Sequence, residues 1–99
     1  MTTSIAAAEI AVHGRVQAVG YRDYTRRRAT LLGLAGYVMN TADGLVLVRA
    51  EGPRPVIEEL VRALEQGPPL SRVDSVSVRW LPAADGLAGF DIRYAGSGR

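Results

Sequence analysis

Two short segments carry residue types from which an anion site can be built. The first is Gly14-Arg15-Val16-Gln17-Ala18-Val19-Gly20-Tyr21-Arg22. It lies between an alternating apolar stretch and a helix-like one, so it joins a strand end to a helix start. Backbone N–H groups at a helix N-terminus are unpaired and carry partial positive charge, which suits an anion. Flanking glycines let several such groups converge on one phosphate. Arg22, in the first helical turn, adds a guanidinium able to grip two phosphate oxygens at once. The second segment ends at Asn40, just before Thr41-Ala42-Asp43-Gly44. A neutral amide donates and accepts together, so it can hold a water molecule. On spacing alone each segment also has a plain reading. The loop serves as an ordinary connection with surface arginines, and Asn40 as the cap of its own turn. Five residues separate Gly14 from Gly20 and no Gly-Lys-Ser/Thr follows, so this is not a Walker loop. It is not a dinucleotide fingerprint either.

The elements that must position these residues are legible from periodicity. Glu9 to His13 alternates, with Ile10 and Val12 on one side, and predicts a short half-buried strand. Arg22 to Leu32 predicts a helix whose inner face carries Tyr21, Tyr24, Thr25, Ala29 and Leu32, with Gly33 ending it. Arg26, Arg27 and Arg28 form its solvated face. Gly36–Asn40 and Leu45–Ala50 predict two strands joined at Asp43-Gly44. Pro55–Gln66 predicts a second helix with Val56, Ile57, Leu60, Val61 and Leu64 as its apolar stripe. Arg72–Trp80 predicts a strand with a phase change near Asp74, Leu81–Gly89 a loop, and Gly89–Tyr94 a last short strand with Phe90, Ile92 and Tyr94 on one face. Trp80 and Phe90 are expected to pack. The order is an α+β, ferredoxin-like β-α-β-β-α-β plait. Its four- to five-stranded antiparallel sheet has both helices on one face and the other open to solvent. The fold alone assigns no function.

Composition narrows the chemistry. The 99 residues suit one domain, residues 1–99, with an ordered core over about 8–95. The Ala6-Ala7-Ala8 run and the tail Gly96-Ser97-Gly98-Arg99 are expected to fray. No apolar run approaches the ~18–20 residues of a membrane span, and the N-terminus lacks a basic region like that of a signal peptide. With no Cys and one His, thiolate sites, disulfides, Cys nucleophiles and two-His metal sites are excluded. His13 beside the loop is expected to be inert. All 12 basic residues are Arg against 10 acidic ones. That bias is either compositional or a means of anion binding, to which the planar Arg fork is suited.

Taken together, the two segments resemble the acylphosphatase family. GRVQAVGYR is similar to that family's signature Gly-x-Val-Gln-Gly-Val-x-Phe/Tyr-Arg. Gly36 to Gly52, GYVMNTADGLVLVRAEG, is similar to its second signature. The resemblance runs from about Ile10 to Tyr94. It implies that the backbone groups of Gln17, Ala18, Val19, Gly20, Tyr21 and Arg22, with the Arg22 guanidinium, hold the substrate phosphate, and that Asn40 orients the attacking water. One position departs: the family has Gly where this chain has Ala18. With the rest of the motif intact, negative φ and a working site are expected there. A positive φ would instead favour an impaired enzyme.

The implied substrate is an acyl phosphate. Its leaving group is a carboxylate, stable without protonation, so no general acid is required. Positioning and charge stabilisation suffice for a loose phosphoryl-transfer transition state. A site of Arg, amides and Asn is chemically adequate here and inadequate for an alkyl phosphate ester. The expectation is therefore an acylphosphatase with no cofactor and no metal, inhibited by inorganic phosphate, acting as a cytoplasmic monomer, and binding neither nucleic acid nor membrane. Two other readings remain: a non-catalytic phosphate-binding domain, and an RNA-binding plait. The latter wants exposed aromatics on the central strands, and Leu45–Ala50 has none.

Overall fold

The computed structural model describes residues 4–94. The elements are β1 (Ala6–Arg15), α1 (Tyr21–Leu31), β2 (Ala35–Asn40), β3 (Val46–Gly52), α2 (Arg54–Gln66), β4 (Arg72–Trp80) and β5 (Phe90–Arg93). The sheet order is β4-β1-β3-β2-β5. The plait expected from the sequence is thus present, with an added edge strand. Four strands pair antiparallel, but β5 runs parallel to β2, Gly36 opposite Phe90 and Val38 opposite Ile92. The antiparallel expectation fails for that strand alone. The segment from Leu81 to Gly89 crosses the end of the sheet before β5 begins, so β5 enters in the direction of β2.

One sheet face and both helices form the core. Ile10 and Val12 of β1, Val46 and Val48 of β3 and Val38 of β2 are fully buried, as are Ile57, Leu60 and Leu64 of α2. Period-2 alternation meets a helical stripe, so each element buries the face its own spacing selects. The Ala6–Ala8 run, expected to fray, instead extends β1 and pairs with Ala50–Gly52. Small side chains let neighbouring strands and the overlying chain approach, and Ala7 and Ala8 are buried. The expectation for Gly96–Arg99 lies outside the described residues.

The strand that delivers the loop is shaped by a bulge. The register between β1 and β4 shifts at His13/Gly14, where Gly14 faces Val73, matching the phase change near Asp74. Gly14 has φ +135°, and a Cβ there would collide with the Arg72 carbonyl oxygen. No other residue fits the crossing.

The opposite sheet face is not wholly open. Glu51, buried on β3, accepts N–H bonds from Asp85 (2.7 Å), Gly86 (3.1 Å) and Leu87 (3.0 Å). Arg49 bridges it to Asp85, at 3.0 Å and 2.9 Å. One carboxylate therefore clamps the segment leading to β5.

Candidate active site

The loop after β1 and the end of β2 meet at one side of the molecule. A cavity of about 140 Å³ there is lined by Val16, Ala18, Gly20, Tyr21, Arg22, Asp23, Asn40, Ile92 and Tyr94. Of the residues expected in the site, Ala18, Gly20, Tyr21, Arg22 and Asn40 are brought together. Gln17 and Val19 do not line the cavity. Val19 packs against the core. The Gln17 side chain turns to the β2–β3 hairpin, where Nε2 donates to the carbonyls of Thr41 (3.0 Å) and Leu45 (2.8 Å). Its amide thus fastens the loop to the hairpin that carries Asn40, rather than reaching toward a substrate.

The loop backbone also departs from expectation. Ala18 has φ +61°, the one non-glycine residue with positive φ among those described. Negative φ was expected at this position. The reason is geometric: consecutive amides turn to the same side only when neighbouring residues alternate right- and left-handed conformations. A methyl group does not remove that requirement, so Ala18 adopts the left-handed region at a cost of roughly 1–2 kcal/mol. Gly20 is also left-handed, at φ 76° and ψ 17°, and caps α1 without a side-chain bond. Gly20, Tyr21 and Arg22, at the N-terminal end of α1, line the cavity.

Tyr21 anchors this end of the helix. It is buried, and its hydroxyl donates to the Leu64 carbonyl of α2 at 2.6 Å. Burial first, and then the neighbouring Tyr24, push the phenol well above its ordinary range, so it stays neutral and serves as a strut. Thr25 adds a bond to the Tyr21 carbonyl at 2.8 Å.

The charges are arranged in favour of an anion. Asp23 is the one acidic residue lining the cavity. Its carboxylate is engaged by Arg26 at 2.8 Å and Arg27 at 3.0 Å, and the Arg26 hydrogen bond chiefly holds its carboxyl below the usual range. Two of the three solvated arginines of α1 thereby offset that charge. Arg22 makes no ion pair among the described residues, and its guanidinium stands 4.9 Å from the centre of the Tyr94 ring.

Asn40 is the last residue of β2 and pairs with Val46. It does not cap its own turn. Thr41 does: its hydroxyl donates to Asp43 and accepts the Leu45 N–H at 3.1 Å. The Asn40 Oδ1 is buried and meets no donor among the described residues. An unused acceptor at a cavity wall calls for a partner from outside the chain. His13 sits on β1 at the bulge and does not line the cavity. Among the described residues no three of His, Asp and Glu gather as metal ligands, and no helix is long and apolar enough to cross a membrane.

Comparison with known proteins decides the family. The acylphosphatase family model matches residues 8–92. The chain belongs to the acylphosphatase family. It is 48% identical over 82 residues to an acylphosphatase of Salinibacter ruber, spanning 83% of this chain and 86% of that one. It is 45% identical over 92 residues to one of Methanococcoides burtonii, spanning 93% and 96%. The crystal structure of acylphosphatase from Bacillus subtilis superposes with a TM-score of 0.88 at 37% identity, covering 92% of this chain and all of that one. These relatives identify an acylphosphatase, a hydrolase, on the ferredoxin-like fold.

Four lining residues lay outside the site expected from the sequence: Val16 and Asp23, which flank the expected loop residues, and Ile92 and Tyr94, which come from the far end of the chain. The signal of the last two was present. Phe90, Ile92 and Tyr94 alternate, and the alternation carries Tyr94 one residue past β5 to the cavity mouth.

Proposed function

We propose that this chain hydrolyses the carboxyl–phosphate bond of acyl phosphates, using Arg22 and the loop amides to hold the phosphoryl group and Asn40 to hold the attacking water. The observation that carries this reading is the convergence in one cavity of Ala18, Gly20, Arg22 and an Asn40 oxygen that meets no donor among the described residues. The loop amides and the Arg22 fork stabilise charge on the phosphoryl oxygens. With Oδ1 accepting a hydrogen bond from one O–H of a water molecule, Asn40 points the water lone pair along the line of attack. The water oxygen bonds to phosphorus as the bond from phosphorus to the acyl oxygen breaks. That electron pair leaves with the carboxylate, and the water protons stay on the phosphate. Neither a general acid nor a metal is needed, because the carboxylate is already a good leaving group. Inorganic phosphate occupies the same cradle and inhibits competitively. The same economy suits a monomer acting in the cytoplasm on small-molecule substrates.

The positive φ at Ala18 favours a second reading, a cradle that binds phosphate but turns over poorly. Assay of acetyl phosphate and benzoyl phosphate hydrolysis separates the two. On the main reading Arg22→Ala abolishes turnover and weakens phosphate binding by about 1.5–3 kcal/mol, the range for a hydrogen bond to a charged group. Arg22→Lys restores little, since a point charge does not match the fork. Hydrolysis near the wild-type rate in Arg22→Ala would remove the central role of that side chain.

A further inference from the structure

We propose that Tyr94 is a positioning residue for Arg22: its ring holds the guanidinium over the cradle while leaving the charge and the N–H donors to the phosphate. This rests on the reading of Arg22 given above. Arg22 stands on the first turn of α1. A long arginine stem samples many rotamers unless something fixes it. Among the described residues no carboxylate fixes this one, and the adjacent Asp23 is taken by Arg26 and Arg27. What faces the guanidinium is the Tyr94 ring, with 4.9 Å from the guanidinium carbon to the ring centre. That lies inside the ~6 Å over which the ring quadrupole attracts a cation.

The choice of an aromatic holder has a chemical consequence. A carboxylate partner would neutralise Arg22 and occupy the edge that must grip phosphate. A ring face binds the flat of the guanidinium and leaves its edge N–H groups directed elsewhere. Tyr94 therefore fixes the cation without competing for it. The ring lines the same cavity as Arg22, Ala18 and Asn40. Its backbone follows directly on β5, whose parallel pairing with β2 brings the Asn40 strand and Tyr94 to one side of the sheet. The segment from Leu81 to Gly89, clamped by Glu51, fixes where β5 starts. Tyr94 itself is 60% exposed, so replacing it removes little core packing.

The test compares Tyr94→Leu and Tyr94→Phe in the full chain. It measures the inhibition constant of inorganic phosphate and the KM and kcat for acetyl phosphate and benzoyl phosphate. Tyr94→Leu is expected to raise the phosphate inhibition constant and both KM values by about three- to tenfold, from the lost cation–π contact and the freed rotamers. The factor should be the same for the two substrates, because phosphate is common to both. Tyr94→Phe keeps the ring and should stay within about twofold of the parent chain. A Tyr94→Leu chain with unchanged phosphate inhibition overturns the proposal. So does a loss confined to benzoyl phosphate, which would place the ring against the acyl group, and so does equal damage from Tyr94→Phe, which would assign the role to the hydroxyl. If the parent chain hydrolyses neither substrate, the acylphosphatase mechanism fails on its own. The phosphate affinities of the three chains, read by calorimetry, then still decide whether Tyr94 acts through Arg22.

Discussion

Ala18→Gly separates strain stored in the fold from damage to the site. Ala18 holds φ at +61°. For an L-residue the left-handed region costs roughly 1–2 kcal/mol, a cost that glycine does not incur. Glycine also adds freedom to the unfolded chain, which offsets roughly 0.4–1 kcal/mol of the gain. The net expected stabilisation is about 0–1.5 kcal/mol. For a domain of this size ~1 kcal/mol moves Tm by roughly 4–8 °C, so a rise of a few degrees is the expected result. The catalytic outcome follows from where the strain resides. Ala18 already holds the left-handed conformation, so on the proposed reading of the loop as a phosphate cradle the cost falls on stability and not on the site. The constants kcat and phosphate inhibition should therefore change by less than about tenfold, or roughly 1.4 kcal/mol. Thermal unfolding and steady-state hydrolysis of benzoyl phosphate on the same preparations check both halves. A fall in Tm would refute the strain argument. A gain in kcat of several orders of magnitude would show instead that the methyl group obstructs the anion and that this chain is an impaired enzyme.

Asn40→Ala should lower kcat by orders of magnitude while leaving competitive inhibition by phosphate nearly intact if, as proposed, the side chain holds water and not the anion; an equal loss of both would dissolve that division. Gln17→Leu removes the two bonds to the Thr41 and Leu45 carbonyls. It should lower stability by about 1–3 kcal/mol in urea titration, the sum for two ordinary hydrogen bonds, since each carbonyl keeps a backbone donor, the Gly44 N–H on Thr41 and the Thr41 N–H on Leu45, and it should reduce kcat more than phosphate affinity, since it loosens Asn40 relative to the loop. Glu51 is desolvated, which raises its pKa, but the N–H bonds of Asp85 and Leu87 and the charge of Arg49 outweigh this and leave it lowered. A lowered folded pKa contributes stability that is present above the ordinary carboxylate value, near 4.3, and is lost as pH falls through the folded value. Glu51→Gln should accordingly flatten the acid limb of the stability curve below about pH 4, and an acid limb identical to that of the parent chain would exclude Glu51 as its source.

The element order, both helices and β4 follow from spacing alone, because each amphipathic period selects a buried face before any partner is known. That Arg22 and Asn40 belong to one cavity was expected for a different reason: two long motifs place a fork at a helix start and an amide at a strand end. Three features needed the tertiary structure. The sign of φ at Ala18 depends on which way the cradle amides must face, and an alanine in sequence reads as permissive of negative φ. The direction of β5 depends on where the Leu81–Gly89 segment is held, and that is set by Glu51, a residue 34 positions before Asp85. The Asn40 acceptor, which meets no donor among the described residues, and the ring over Arg22 are likewise consequences of packing. Thr41 takes over the turn and so releases Asn40, and Tyr94 reaches Arg22 because a parallel edge strand carries it there. Sequence determines which groups are available and what face each segment buries; which groups stay unpaired, and therefore able to work on a substrate, is decided when distant segments compete for the same partners.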